Sequence, residues 1–402
     1  MKQIARKYVA FVRQPDVARL LAVALVTRMP IGMVGFAMLM FLRDALGNFA
    51  LAGAAVGITF VSMAVAAPVQ GRLIDRFGPK RLLSTTGVMQ PLSLLGVLLS
   101  AHFHLPFAMT AACAAVAGIF ASPITTLTRT IWRHRFDSED DRRTAFALDA
   151  VAIEINFTLG PAIIAGMLAF TSPTAAFALA IGVVAAAVGI YLASGTLKYF
   201  KRVVSAERHL LGPLTEVRLW LVFTATFGTA MALGLLEVGY PAYATLLGVP
   251  ALAGILLAIN SLGSALGGAL FGGLHLRAPI ERQYATVLAL MSVPLFLHAI
   301  FQQPFAFCVL AFVAGALIAP SITAQSVLVS RFAPAQYATE AFTWSSTFIV
   351  SGLGAGMAIG GAMVESTGLR SAFALGGVVV GVMSVLILVA LPAPRAAAAP
   401  AD

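Results

Sequence analysis

Charge is what this chain has least of. Its 402 residues include 26 Lys or Arg and 16 Asp or Glu, about a tenth of the total. Soluble domains carry roughly a quarter. A water-soluble protein of this length could not clothe its outside with so few polar groups. Cysteine and histidine are also scarce, at two and six. Cys113 and Cys308 lie inside apolar runs, which reads as small buried hydrophobes rather than a disulfide or a thiolate metal site. The histidines show no metal-ligand spacing with acids or cysteines, apart from a weak His102-x-His104 pair in a loop. No phosphate-cradling Walker loop occurs, so direct ATP coupling is not expected, and no convergent nucleophile set marks an enzyme. Neither a cofactor nor a metal is expected. Nucleic acid is not an expected partner either: the net charge is +10, but no binding module is present.

Apolar residues are what the chain has instead. They make up 60% of the sequence, and the mean hydropathy is +0.94. Runs of about twenty fall near 17–42, 50–70, 82–101, 106–128, 144–170 and 174–197. They resume near 217–243, 249–272, 283–301, 304–329, 338–363 and 369–392. Each is long enough to cross a hydrocarbon core of roughly 30 Å as a helix. Barrel strands would alternate apolar and polar residues over about ten positions, and these runs do not. An all-α polytopic membrane protein of twelve spans is expected, with the bilayer as its solvent.

Basic residues set the expected orientation. Clusters precede the first span and follow the second, fourth and sixth; Arg277, Arg282 and Arg331 follow later even-numbered spans. Only Arg43 and Arg370 fall on the other side. This bias puts both termini in the cytoplasm of a cell (inner or plasma) membrane protein. The basic start, MKQIARKYVAFVRQPDVARL, reads as a lead-in to the first span rather than a cleaved leader. The expected organisation is a bundle over 1–197, a linker over 198–216, a bundle over 217–392 and a disordered tail over 393–402. The chain is expected to work as a monomer.

The two halves look alike. Pro106-Phe107-Ala108 resembles Pro304-Phe305-Ala306. Ala117-Gly118 matches Ala314-Gly315, and Pro123 matches Pro320, all 197 residues apart. Arg135-Phe136 matches Arg331-Phe332 and Ala145-Phe146 matches Ala341-Phe342 at 196; Leu51-Ala52-Gly53 matches Leu252-Ala253-Gly254 at 201. Near-constant offsets at corresponding topological positions point to duplication. Duplicated six-helix halves are a transporter plan, with the substrate site between them near mid-depth.

The loop after the second span reads Gly71-Arg72-Leu73-Ile74-Asp75-Arg76-Phe77-Gly78-Pro79-Lys80-Arg81. It resembles the signature loop of the major facilitator superfamily, G-x-L-x-D-R-x-G-R-K-x, and stands where that family has it. Gly71 is expected to let the second helix approach a neighbour closely. The resemblance implies that Asp75 docks on the start of the eleventh helix in an outward-facing state, with Arg76 and Arg129 in the same network. Lys80 and Arg81 complete the motif; Pro79 departs from it. The corresponding loop of the second half, Gly272-Gly273-Leu274-His275, lacks the acid. In the fifth span, Gly160-Pro161 resembles the family's antiporter-associated pair, which implies export. The proline leaves a carbonyl without its donor. Against export, the fourth span has Ala114 where proton-coupled drug exporters often carry an arginine.

A charge near mid-membrane costs at least ~2.5–3.5 kcal/mol and is a functional candidate. Counted from the starts of their apolar runs, Arg28 and Glu154 both lie about 15 Å deep, and the expectation is that they pair. Glu154 is the expected proton carrier, with Asp149 second. Asp149 shares a helix face with Asn156 but is turned about 140° from Glu154. Glu237, with Tyr240 nearby, is placed near the outer end of the seventh span, as an outer gate or an interfacial residue. Phe36, Asn156, Asn260, Gln325 and Trp344 complete the candidate cavity. The expected function is proton-driven export of a small, partly apolar organic compound. Proton-coupled uptake and passive facilitation of a sugar, organic anion or other metabolite are the alternatives.

Overall fold

The computed structural model describes residues 11–136, 138–200, 215–273, 278–334 and 338–391. Most of the expected linker and the whole expected tail lie outside these residues. Twelve helical spans among the described residues are long and apolar enough to cross a bilayer, and no strand occurs among them. The first is α1a (Pro15–Thr27) and α1b (Met29–Leu46). There follow α2 (Phe49–Phe77), α3 (Pro79–His102), α4a (Phe107–Ile119), α4b (Ile124–Arg135), α5 (Glu139–Phe170) and α6 (Pro173–Ala193). The second bundle comprises α7 (Val217–Leu246), α8 (Ala251–Gly273), α9 (Ile280–Ile300), α10a (Pro304–Ala316), α10b (Ile318–Phe332), α11 (Ala338–Ser366) and α12 (Leu369–Ala390). With an even number of spans, α1a starts and α12 ends on the same face, termed here the terminal face.

Prolines and polar caps set these boundaries. Proline occupies the first turn of α1a, α1b, α3 and α6, where its missing N–H costs nothing. Asn48 caps α2 by accepting from the Leu51 N–H at 2.8 Å, and Ser172 caps α6. Three spans are broken. Pro30 interrupts the first at Arg28, and Pro123 and Pro320 stand at the breaks of the fourth and tenth. The last two prolines are 197 residues apart, the offset seen in the sequence.

The duplication is visible in the packing. Gly32 of α1b is so close to α5 that an added Cβ would strike the Asn156 carbonyl and come within 3.3 Å of Gly160 Cα. In the second bundle Gly234 of α7 meets the Leu353 carbonyl and Gly356 of α11 in the same way. Gly160 and Gly356 are 196 residues apart. Gly118 packs on the Thr59 carbonyl, and Gly315 packs on that of Asn260. Thr59 and Asn260 are separated by 201, again the sequence offset. Lipid gives helices no hydrophobic reason to associate, so such small-residue contacts supply much of the adhesion.

The bundles meet along two seams that repeat each other. In the α2–α11 seam, Gly53 lies against the Met357 carbonyl and Gly361; in the α8–α5 seam, Gly254 lies against the Pro161 carbonyl and Ala165. Each second contact is the first moved by 201 on one helix and by 196 on the other. Both seams lie toward the face opposite the termini, because α2 and α8 begin there and α5 and α11 end there. Toward the terminal face the same helices expose Val65, Val69, Val151, Leu266, Leu270 and Phe342. The molecule is closed at the opposite face and splayed at the terminal face. Gly71 fits that arrangement: an added Cβ would meet nothing within 4 Å, so the expected close approach of α2 at this residue is not made here.

Candidate functional site

Arg28 enters the first bundle because Pro30 breaks the helix behind it. Its Nη1 donates to Asp149 Oδ1 at 2.7 Å, and both side chains are about 1% exposed. The same oxygen accepts from Trp132 Nε1 at 3.1 Å, and Arg129 Nε stands 3.6 Å from Asp149 Oδ2. Arg28 Nη2 lies 3.4 Å from the Thr125 carbonyl. Ile124, Leu127 and Tyr191 belong to the apolar cluster around Trp132. One carboxylate therefore serves two guanidinium groups, one buried and one 54% exposed.

This corrects the expected pairing in partner and in depth. Arg28 pairs with Asp149; the Glu154 side chain lies outside those described. Arg28 is 18 residues from the opposite-face end of α1b, about 27 Å, and Asp149 is 21 from that of α5, about 32 Å. The cluster thus sits near the terminal-face edge of a 30 Å core. Counting from the start of each apolar run misplaced it, because α1a and α5 begin outside the core. Asn156, on the same face of α5 as Asp149, is fully buried between α5 and α1b, and neither side-chain atom has a hydrogen-bond partner among the described residues. Arg129 is occupied with Asp149. Of the loop residues, Gly78 adopts φ +84°, which allows its N–H to return to the Ile74 carbonyl and lets α3 start at once. Arg76, Lys80 and Arg81 are exposed, and Arg76 lies 5.1 Å from the Phe77 ring centroid. The Asp75 side chain is outside those described.

A different charge occupies mid-depth. α7 runs on to Leu246, so Glu237 lies nine residues, about 14 Å, from its opposite-face end. Counted inward from that end, it falls near the middle of a core of roughly 30 Å, deeper than a run ending at 243 implies. Glu237 is half-buried, and no hydrogen bond or ion pair to it is found among the described residues. Two buried or half-buried carboxylates elsewhere have cations: Asp16 pairs with Arg135 at 2.6 Å and Glu281 with Arg331 at 2.9 Å. On the helical wheel Glu237 stands about 60° from Gly234, which packs on α11, and about 60° from Tyr240.

Most of the other candidate cavity residues are packing residues. Phe36 is 3% exposed in the main core. Tyr240 is fully buried, its ring 5.7 Å from His298, 6.0 Å from Phe307 and 6.1 Å from Phe373. Its hydroxyl lies beside Asn260 without closing a hydrogen bond of normal geometry. Gln325, 3% exposed, donates to Ser345 Oγ at 2.6 Å. Asn260 donates to the Ala311 carbonyl at 3.0 Å and remains half-buried, as does Trp344. Glu237, Asn260 and Trp344 are the members of the set that stay partly accessible. No group of three metal-ligating side chains occurs among the described residues.

Each seam also carries a polar tie. Pro161 has no N–H for the carbonyl of Phe157, four residues back, and Ser261 of α8 donates to that carbonyl at 3.1 Å. At the α2–α11 seam, the Phe49 N–H donates to Glu365 Oε1 at 2.5 Å. Gly160 packs on Gly32, so the Gly-Pro pair faces both ways: glycine toward its own bundle, proline toward the other. Trp132, Ser261 and Glu365 were missed in the sequence. Pro161 carried the only signal, an orphan carbonyl in search of a donor.

Residues 20–300 match the family model described as Major Facilitator Superfamily. A mutant of the nucleoside transporter NupG superposes with a TM-score of 0.73 at 14% identity, covering 92% of this chain and 98% of that one. A mutant of the peptide transporter POT superposes with a TM-score of 0.71 at 12% identity, covering 94% of each. A search of curated protein sequences finds no match.

Proposed function

The chain belongs to the Major Facilitator Superfamily and is a membrane transporter rather than an enzyme, and on that premise we propose that it exports a small, partly apolar organic solute in exchange for protons, by alternating access. The observation that carries the proposal is Glu237. It is a half-buried carboxyl at mid-depth between two bundles, with no cation to neutralise it among the described residues. Such a group can take up a proton in one state and release it in the other. Asp149, held by Arg28 and Arg129, is poorly placed to do so. Glu154 stays a second candidate for the same task.

The terminal face, with its basic loops, is the cytoplasmic face in this reading. The structure is then the inward-open state. Solute enters from the cytoplasm between the splayed helices, toward Glu237, Asn260 and Trp344. Rocking of the bundles opens the opposite face. Apolar walls and one lone acid suit a compound with few charges. The Gly160–Pro161 pair supports export, and the chain is proposed to act as a monomer.

Transport into proteoliposomes with and without an imposed proton gradient tests this. Glu237→Gln is expected to abolish uphill movement, by at least tenfold, while leaving solute exchange at zero gradient largely intact. Unchanged uphill transport by Glu237→Gln would remove Glu237 from the coupling step. Co-directional movement of solute and protons would make the chain an uptake symporter, and indifference to the gradient would make it a facilitator.

A further inference from the structure

The tie between Ser261 and the Phe157 carbonyl has features that ordinary helix packing does not require. A helix carbonyl normally accepts from the N–H four residues on. Pro161 removes that donor from Phe157, so the carbonyl must find another or stay unsatisfied. The donor comes from α8, in the other bundle, at 3.1 Å. The site is 13 residues from the opposite-face end of α5 and ten from that of α8, about 20 Å and 15 Å in. It lies where the closed seam gives way to the splayed region.

The other seam supplies the control. Positions 161 and 157 correspond to Met357 and Leu353, and Ser261 corresponds to Phe60, by the offsets of 196 and 201. Met357 has the N–H that proline lacks, and Phe60 has no hydroxyl. The packing of glycine on the carbonyl of position 161 or 357 is kept in both seams, whereas the hydroxyl–carbonyl tie belongs to one. Pro161 and Ser261 thus differ from their counterparts together.

We propose that Ser261 is the positioning residue through which Pro161 acts: its hydroxyl holds α5 to α8 while the opposite face is closed, and opening that face leaves the Phe157 carbonyl without its helix donor. The proline removes the helix donor that would otherwise replace the contact, so the pair weights the equilibrium toward closure. The inference rests on the alternating access proposed above, but on neither the cargo nor the proton.

The test uses the full chain with Cys113 and Cys308 replaced by alanine and spin labels on cysteines introduced at His104 and Gln303, one on each bundle's opposite-face loops. Distance distributions are measured in lipid nanodiscs. Ser261→Ala is expected to raise the population open at the opposite face about two- to tenfold, the net worth of one hydrogen bond. Ser261→Thr, which keeps the hydroxyl, should restore the closed state. In a Pro161→Ala background, where Phe157 regains an N–H, Ser261→Ala should shift the population less than twofold. Equal shifts in both backgrounds, or no shift in either, would overturn the proposal. If the distances stay fixed in all variants and at every pH tested, alternating access itself fails. Loss of coupling with an intact Pro161–Ser261 dependence would fault only the functional reading.

Discussion

Asp149 shows how one side chain can hold several others in place. It accepts from Arg28 and Trp132 through a single oxygen and faces Arg129 with the other. Removing one partner of a buried pair typically costs 3–5 kcal/mol, because the remaining charge has nowhere to go. Asp149→Asn should therefore lower the unfolding temperature in detergent markedly. Adding Arg28→Met should recover most of the loss, although Arg28→Met alone would also be harmful. The sequence identified Arg28 and the α5 acids as the charges that need explaining. It did not identify the partner, since Asp149 and Glu154 differ by 140° of rotation and only the position of α1 decides between them. Glu237 had the reverse history. The sequence treated it as peripheral, because the end of its span was placed before Leu246.

At the scale of helices, twelve runs of apolar residues were enough to predict twelve spans, and the offsets of 196, 197 and 201 recur as contacts between backbone atoms. What composition does not reveal is which glycine touches which carbonyl. Gly53 and Gly254 settle that for the seams. Either one changed to valine puts a branched side chain where even a Cβ does not fit. Gly53→Val and Gly254→Val should each shift the labelled loops toward separation at the opposite face, severalfold in population, with expression retained. Thiol-reagent access to a cysteine placed at Met357, buried in this state, provides an independent measure. Equal access before and after the valine change would show that the seam tolerates the volume elsewhere. The helix breaks were only partly legible. Proline predicts where a helix can break, yet Pro68, Pro91, Pro161, Pro241 and Pro294 all lie inside continuous helices.

At the scale of the whole molecule, Glu365 is out of place by local rules. An acid in the last turn of a helix faces the negative end of its own dipole. Here the carboxylate reaches the first turn of α2 in the other bundle and accepts from the Phe49 N–H. It is favourably placed only when the opposite face is shut. Glu365→Gln should weaken closure by about 0.3–1 kcal/mol, a two- to fivefold change in the open population. The same labelled pair would report it, more strongly at low ionic strength than at high. No residue near Glu365 in sequence signals this contact, which needs two bundles to be seen.

The breaks in the spans also order events in time. Pro123 and Pro320 interrupt equivalent helices at equivalent points, so that interruption was present in the ancestor of both halves. Pro30, with Arg28 beside it, has no match in α7, which runs unbroken from Val217 to Leu246. That interruption entered or left one copy after the copies had separated. The architecture is older than the asymmetry built on it. Relatives of this chain would then be expected to share the paired breaks in the fourth and tenth spans more widely than the arginine at the break in the first.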